Sequence, residues 1–387
     1  MVYMFSVRFL SRIDIRVVFI IFLLMGISLI TISSYSSCTL GDLRLDHGAD
    51  TSSFMTSMVR SQIKWFFIGW GLFFLFSGFD YNKLREYAWV IFAISIIALI
   101  GLFFTDPIQR VQRWYRLPFI QFNIQPSELA KLAMIIAMSW FLEKRANSSR
   151  SFATTCGALL IAGLPFLLIL KQPDLGTALV LYPMALVMCY FGDIHPSVMR
   201  LFLFIGAVAF ALVFIIFSGM VSHENARPYA YTFLKEYQYE RLNPNTHHQK
   251  AAITSIAVGG IHGVGWKNSE YARGGSLPAP YTDSVFSAFG EEFGFIGLIL
   301  LLVLFYALIY CSFQVTVVAK DPFGRLLASG IAVFLAMHVL INIGMMCGWL
   351  PITGVPLVLV SYGGSHVVST MIAIGILQSI YSRRFMF

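Results

Sequence analysis

The stretch LPAPYTDSVFSAFGEEFGFIGLILLLVLF, residues 277–305, decides how this chain is read. It passes from a proline-broken loop into an apolar run long enough to enter a hydrocarbon core of ~30 Å. On the way in it carries the carboxylates of Asp283, Glu291 and Glu292. A charge at membrane depth is costly unless it lines a cavity or finds a partner, so these residues are candidates for function by default.

Working outward, the 387-residue chain is 58% hydrophobic, 16% aromatic and only 12% charged, with a mean hydropathy of +0.75. That is too apolar for a soluble fold of this length and describes an integral membrane protein. Apolar runs near spanning length cover residues 17–35, 61–79, 87–104, 126–142, 152–170, 177–191, 200–219, 283–310, 326–346 and 356–381. The fold class expected is all-α: a single-domain (1–387) polytopic bundle of about ten transmembrane helices. A large outer loop, 220–282, separates helices seven and eight and is rich in Tyr, Asn, Pro and Gly. Loops beyond ~12–15 residues are usually functional or disordered. Within it QKAAITSIAVGGI, 249–261, is amphipathic, which predicts an ordered segment hugging the membrane.

The first run follows Arg8, Arg12 and Arg16 and ends in SSYSSC, 33–38. Its long apolar core, and Tyr35 where a lipobox ahead of Cys38 wants an aliphatic residue, predict a retained first helix. An even number of spans puts both termini on one side. The basic connections NKLR (82–85), EKRANSSR (143–150) and SRR (382–384) make that side cytoplasmic. The net charge of +8 therefore reflects topology and not nucleic-acid binding. The five cysteines, Cys38, Cys156, Cys189, Cys311 and Cys347, show no paired spacing, so neither a disulfide framework nor a metal knuckle is expected. His247 and His248 are adjacent and read as polar loop groups.

Four polar clusters lie at the outer ends of the runs. RVQRWYRLPFIQFNIQPSELAK, 110–131, supplies Arg110, Arg113 and Arg116 in a loop, then Pro126 and Glu128 suited to a first helical turn. Lys131 falls three residues after Glu128 on the same face, as an internal ion pair or as a functional cation. KQPDLGTALV, 171–180, places Asp174 where it either caps a helix or does chemistry. GWLPITGVPLVLVSYGGS, 348–365, is interrupted backbone that must line a cavity or be buried in protein. Ser361, Gly363 and Gly364 there offer amide N–H groups to an anion, or small surfaces for packing. In the opening stretch Asp283 stands where the eighth helix should begin, as an N-cap or a reactive carboxylate. Glu291 is eight residues further on, about 80° around the helix, and so able to border the same cavity. Glu292 points elsewhere and should pair with another helix.

Taken in order, RVQRWYRL with QPSELAK, KQPDLGTAL, RLNP, TDSVFSAFGEEFGFIG and GWLPITGVPLVLVSYGGS resemble the SEDS proteins of bacterial cell-wall synthesis, the RodA and FtsW glycosyltransferases. TGVP is closer to the RodA, or elongation, branch. The resemblance implies an enzyme of the inner membrane that polymerises lipid II, a disaccharide-pentapeptide on undecaprenyl pyrophosphate, at the outer face. It also implies a class B penicillin-binding transpeptidase and other elongation-complex proteins as partners, and a divalent cation, Mg2+ or Mn2+. In the family's Pro-Glu-x-His-Thr-Asp motif the aspartate is essential, and it falls on Asp283. This chain departs from that motif, with Ala279 at the glutamate and Tyr281 at the histidine. It also reads NTHHQKAA (245–252) where the family has Asp-Pro and Gly-Tyr-Gln after RLNP.

An inverting sugar transfer needs a base for the acceptor hydroxyl and stabilisation of the pyrophosphate leaving group. Asp283 suits the first role; Arg113 and Lys131, then Arg116, suit the second. A carboxylate beside apolar walls has a raised pKa unless a cation compensates, and Lys131 is the expected compensator. The lipid tail, like the surrounding membrane lipids, calls for an apolar groove between helices. The alternatives are a lipid II flippase, a division-type (FtsW) polymerase and a scaffold for the transpeptidase.

Overall fold

The computed structural model describes residues 7–36, 54–105, 112–117, 122–218, 220, 221, 227, 239–243 and 245–384. Cys38 and Arg110 lie outside the described residues, as does the Arg116 side chain. The helices are α1 (Ile15–Ser36), α2 (Ser57–Gly78), α3 (Asn82–Gly101), α4 (Pro126–Lys144), α5 (Phe152–Lys171), α6 (Leu175–Phe191), α7 (Pro196–Phe217), α8 (His247–Gly259), α9 (Val285–Val318), α10 (Pro322–Met346) and α11 (Gly364–Ser382). Seven of them, α1, α3, α5, α7, α9, α10 and α11, are long and apolar enough to cross a membrane. With α2, α4 and α6 they match the ten expected runs in order. A short antiparallel ribbon, β1 (Tyr115–Leu117) with β2 (Phe122–Ile124), stands where a plain loop was expected before α4.

Local chemistry sets the starts. Pro126 and Pro322 occupy first-turn positions, where the missing N–H costs nothing. Thr56, Ser151, Thr246 and Asp321 cap α2, α5, α8 and α10 through side-chain oxygens. At one end of the bundle Arg85 bridges Glu143 (2.9 Å) and Asp321 (2.8 Å), and Arg383 lies 3.8 Å from Asp80. The NKLR, EKRANSSR and SRR connections therefore share one end of the bundle, as one side of a membrane requires. Helix α4 is buried on nearly every side and packs against α10 and α11, which makes these three the centre. Helix α7 is the opposite case, presenting Leu203, Phe204, Phe210 and Phe214 outward as a lipid-facing helix does.

Two runs end differently from their sequence reading. The eighth is not one continuous helix: α9 breaks at Gly294, whose φ of 63° and ψ of −165° are non-helical. The outer-loop backbone crosses this break. Val264 and Gly265 donate to the Glu291 and Glu292 carbonyls (both 3.0 Å), while Phe295 and Ile296 donate to Gly260 (2.9 Å) and Ile261 (3.2 Å). A Cβ at Gly294 would collide with the Gly263 nitrogen and, at 2.6 Å, with the Ile261 carbonyl, so only glycine permits the crossing. The tenth run begins its helix at Gly364 and not near 356, because the preceding residues form extended and turn structure buried against the bundle. Helix α8 does form in the outer loop. It packs Ala252 and Ser255 against α9 and turns Ile253 and Val258 outward, so only its outer face is free to meet lipid.

Candidate active site

Asp283 lies in the turn just before α9. The N-cap position belongs to Ser284, and neither side chain makes a capping hydrogen bond, which removes the capping reading of Asp283. The backbone around it is fixed from several elements. Asn342 of α10 donates to the Asp283 carbonyl at 2.8 Å and to the Val355 carbonyl at 2.8 Å. The Ser361 hydroxyl donates to the Thr282 carbonyl at 2.6 Å, and the Tyr362 N–H to the Tyr281 carbonyl at 2.8 Å. Gly354, at φ 79°, brings the TGVP turn so close that an added Cβ would stand 3.2 Å from Asp283 Oδ2.

The carboxylate itself accepts no hydrogen bond from the described residues, and the residue as a whole is half-buried. Burial pushes its pKa above the ordinary aspartate value; Arg113 and Arg241 oppose that rise and Asp174 adds to it. The compensating cations are therefore these two arginines, and Lys131 is not among the charges acting on Asp283. Arg113 is held in place by the carbonyls of Gln172 (3.3 Å) and Pro173, with Nη1 3.9 Å from Asp174. Arg241, from RLNP, donates to the Thr353 carbonyl at 3.3 Å. Asp174 caps α6, accepting from the Thr177 N–H (3.3 Å) and hydroxyl (2.9 Å), and also accepts from Gln125 at 3.2 Å. The structure thus brings Asp283, Arg113 and Asp174 together and adds Arg241, while Asp174 also serves as the cap that was its other reading.

Other expected site residues lie elsewhere. Lys131 and Glu128 are almost wholly buried, 1% and 3% exposed, as an ion pair of 2.6 Å. Lys131 Nζ also lies 2.8 Å from His338 Nε2, and the second Glu128 oxygen accepts from His366 (3.1 Å) and Ser369 (3.0 Å). Instead of reaching toward headgroups, Lys131 closes a knot joining α4, α10 and α11. Glu291 is engaged away from Asp283: its carboxylate accepts from the N–H groups of Tyr271 (2.8 Å) and Ala272 (3.1 Å) and from Ser255 (2.8 Å), anchoring the outer loop. Glu292 pairs with another helix, as read, through Ser34 of α1. Of the amides read as offered to an anion or to packing, the Ser361 N–H bonds to the Leu357 carbonyl at 3.1 Å and the Gly363 N–H to Gln62 at 3.4 Å, while Gly364 opens α11. Arg116 enters β1 opposite Asn123.

Among the described residues, the histidine, cysteine and carboxylate side chains that converge in a group of three are Glu128, His338 and His366, with ligand atoms within 4.8 Å of one another. Two imidazoles and one carboxylate suit a borderline ion such as Zn2+ better than the oxygen-seeking Mg2+ or Mn2+. The Lys131 ammonium already supplies a cation there, so this set does not fit the expected ion.

Asn342, Gln62 and the histidines of the knot were not singled out in the sequence, and neither Arg241 of RLNP nor the loop residue His248 was given a site role there. Asn342, His338 and Gln62 are polar residues inside apolar runs, the same signal that singled out Lys131.

A family model described as "Cell cycle protein" (FtsW, RodA, SpoVE) matches residues 12–384. A probable peptidoglycan glycosyltransferase FtsW of Geobacter metallireducens is 34% identical over 316 residues, 79% of each chain. The peptidoglycan glycosyltransferase MrdB of Escherichia coli K12 is 32% identical over 296 residues, 76% of this chain and 77% of that one. Among solved structures, a chain of a peptidoglycan synthase complex that coordinates polymerization and crosslinking superimposes with a TM-score of 0.75 at 25% identity, covering 97% of this chain and 99% of its own. The rod shape determining protein RodA of Thermus thermophilus gives 0.69 at 23%, covering 97% and 98%, and so shares the fold. On this whole-length match, the chain belongs to the FtsW/RodA/SpoVE family of membrane proteins.

Proposed function

We propose that this chain is a peptidoglycan glycosyltransferase that polymerises lipid II by an inverting transfer, with Asp283 as general base. The observation that carries the reading is the Asp283 carboxylate: on a half-buried residue, free of hydrogen bonds from the described residues, and under the charges of Arg113 and Arg241. The acceptor hydroxyl gives its proton to Asp283 while its oxygen bonds to the anomeric carbon of the donor. The bond from that carbon to the pyrophosphate breaks, and its electron pair leaves with the phosphate oxygen. Arg113 and Arg241 stabilise the charge growing there; loss of one such preorganised donor costs ~10²–10³ in kcat. A raised pKa makes Asp283 a stronger base than a free aspartate, and the arginines keep it ionised near neutrality.

TGVP at 353–356 supports the elongation branch, although the relatives include both branches at similar identity. Likeness to a chain of a polymerization and crosslinking complex supports a class B penicillin-binding transpeptidase as partner. The basic connections at one end of the bundle support an inner-membrane orientation with cytoplasmic termini. The test is polymer formation from purified lipid II by the full chain, with and without its transpeptidase. Transfer of intact lipid II across sealed vesicles with no polymer would overturn the reading in favour of a flippase.

A further inference from the structure

Of the links that fix the Asp283 turn, one comes from outside the membrane bundle. His248, in the first turn of the outer-loop helix α8, places Nε2 2.7 Å from the Ser284 hydroxyl oxygen. Ser284 is wholly buried and spends its own hydrogen on the Pro278 carbonyl at 2.8 Å, six residues back. That fixes the direction of the bond: Nε2–H of His248 donates and Ser284 accepts. Burial and the neighbouring His247 hold the His248 pKa below the usual histidine value, so near neutrality the ring carries one proton, and Ser284 keeps it on Nε2.

We propose that His248 is a positioning residue for the transfer reaction: through Ser284 it locks the 278–284 turn and so sets where the Asp283 carboxylate stands. This rests on the glycosyltransferase reading above. The 278–284 turn otherwise leans on α10 and the 357–362 segment, and among the described residues His248 supplies the side-chain hydrogen bond that ties it directly to α8. A base displaced by about 1 Å loses on the order of 10²-fold in rate, so a single such bond is enough to matter.

The test compares His248→Leu, which removes the donor, with His248→Gln, whose amide nitrogen reaches the Nε2 position. Both are made in the full-length protein with its transpeptidase and assayed on purified lipid II. The expected result is a fall in kcat of tenfold or more for His248→Leu, with KM and melting temperature little changed, and recovery to within about threefold for His248→Gln. The acid limb of the His248→Leu pH profile should move to lower pH, because a loosened Asp283 turn lets water relieve the burial that raises its pKa. Ser284→Ala should lose a similar factor, and His248→Leu with Ser284→Ala should lose no more than either alone. Wild-type kcat for His248→Leu, equal losses in the Leu and Gln variants, or losses that multiply in the double variant would each overturn the proposal. Asp283→Asn run alongside separates this from failure of the base itself: an active Asn variant sinks the base reading whatever His248 does.

Discussion

Replacing Lys131 by Met tests the buried knot at the centre of the bundle. With Lys131 and Glu128 only 1% and 3% exposed and 2.6 Å apart, the change strands a carboxylate in a place water does not reach. His366 and Ser369 still donate to Glu128, at 3.1 and 3.0 Å, but neither brings the full charge that is lost. Breaking a buried pair from one side costs about 3–5 kcal/mol, whereas removing both partners is often nearly neutral. Lys131→Met should therefore lower the unfolding midpoint in detergent by roughly 5 °C or more. Lys131→Met with Glu128→Gln should regain most of it, since a Gln oxygen still accepts from His366 and Ser369. The assay is thermal unfolding alongside lipid II polymerisation on the same preparations. Because Lys131 is not among the charges acting on Asp283, stability and polymerisation should recover together. A double variant that is fully stable yet makes no polymer would refute the knot as Lys131's role and return it to the pyrophosphate.

Gly354→Ala forces a side chain into φ 79° and places its Cβ 3.2 Å from Asp283 Oδ2. The strain is about 1–3 kcal/mol, and polymerisation should fall by more than stability does when both are measured. Glu291→Gln turns an amide nitrogen either toward the Tyr271 N–H or toward the Ala272 N–H and the Ser255 hydroxyl. It should cost about 1–3 kcal/mol and speed proteolytic cleavage of the outer loop, with a nicking pattern unchanged from wild type as the contrary result. The folded pKa of Asp283 is raised, so its ionisation weakens the fold as pH climbs through that pKa, while activity needs the ionised form and rises over the same window. Removing a cation with Arg113→Gln should shift the acid limb of kcat/KM to higher pH. Removing a like charge with Asp174→Asn, which still caps α6, should shift it lower.

The ten runs were legible because spanning a membrane demands long apolar stretches, and the outer ends of those stretches carry the polar exceptions. Asp283 and Arg113 stood out there. The break in α9 did not: a glycine inside FGFIG reads as a tolerated small residue, and only the loop backbone crossing at Gly260–Gly265 makes it obligatory. Lys131 was misplaced for a similar reason. Its depth marked it as important, but its partner His338, and the His366 that holds its ion-pair partner Glu128, lie more than 200 residues away in sequence. Arg241 stood in RLNP and His248 in the same polar loop, but nothing there gives a single basic residue a site role until the fold sets it beside the turn.

The most direct measurement is the yield of glycan polymer from purified lipid II by full-length protein carrying Asp283→Asn, in the presence of its transpeptidase. An amide of the same shape cannot take the acceptor's proton near neutral pH. A general-base Asp283 predicts polymer below detection from a variant that unfolds at the wild-type temperature. Polymer at wild-type yield from that same folded variant would contradict it.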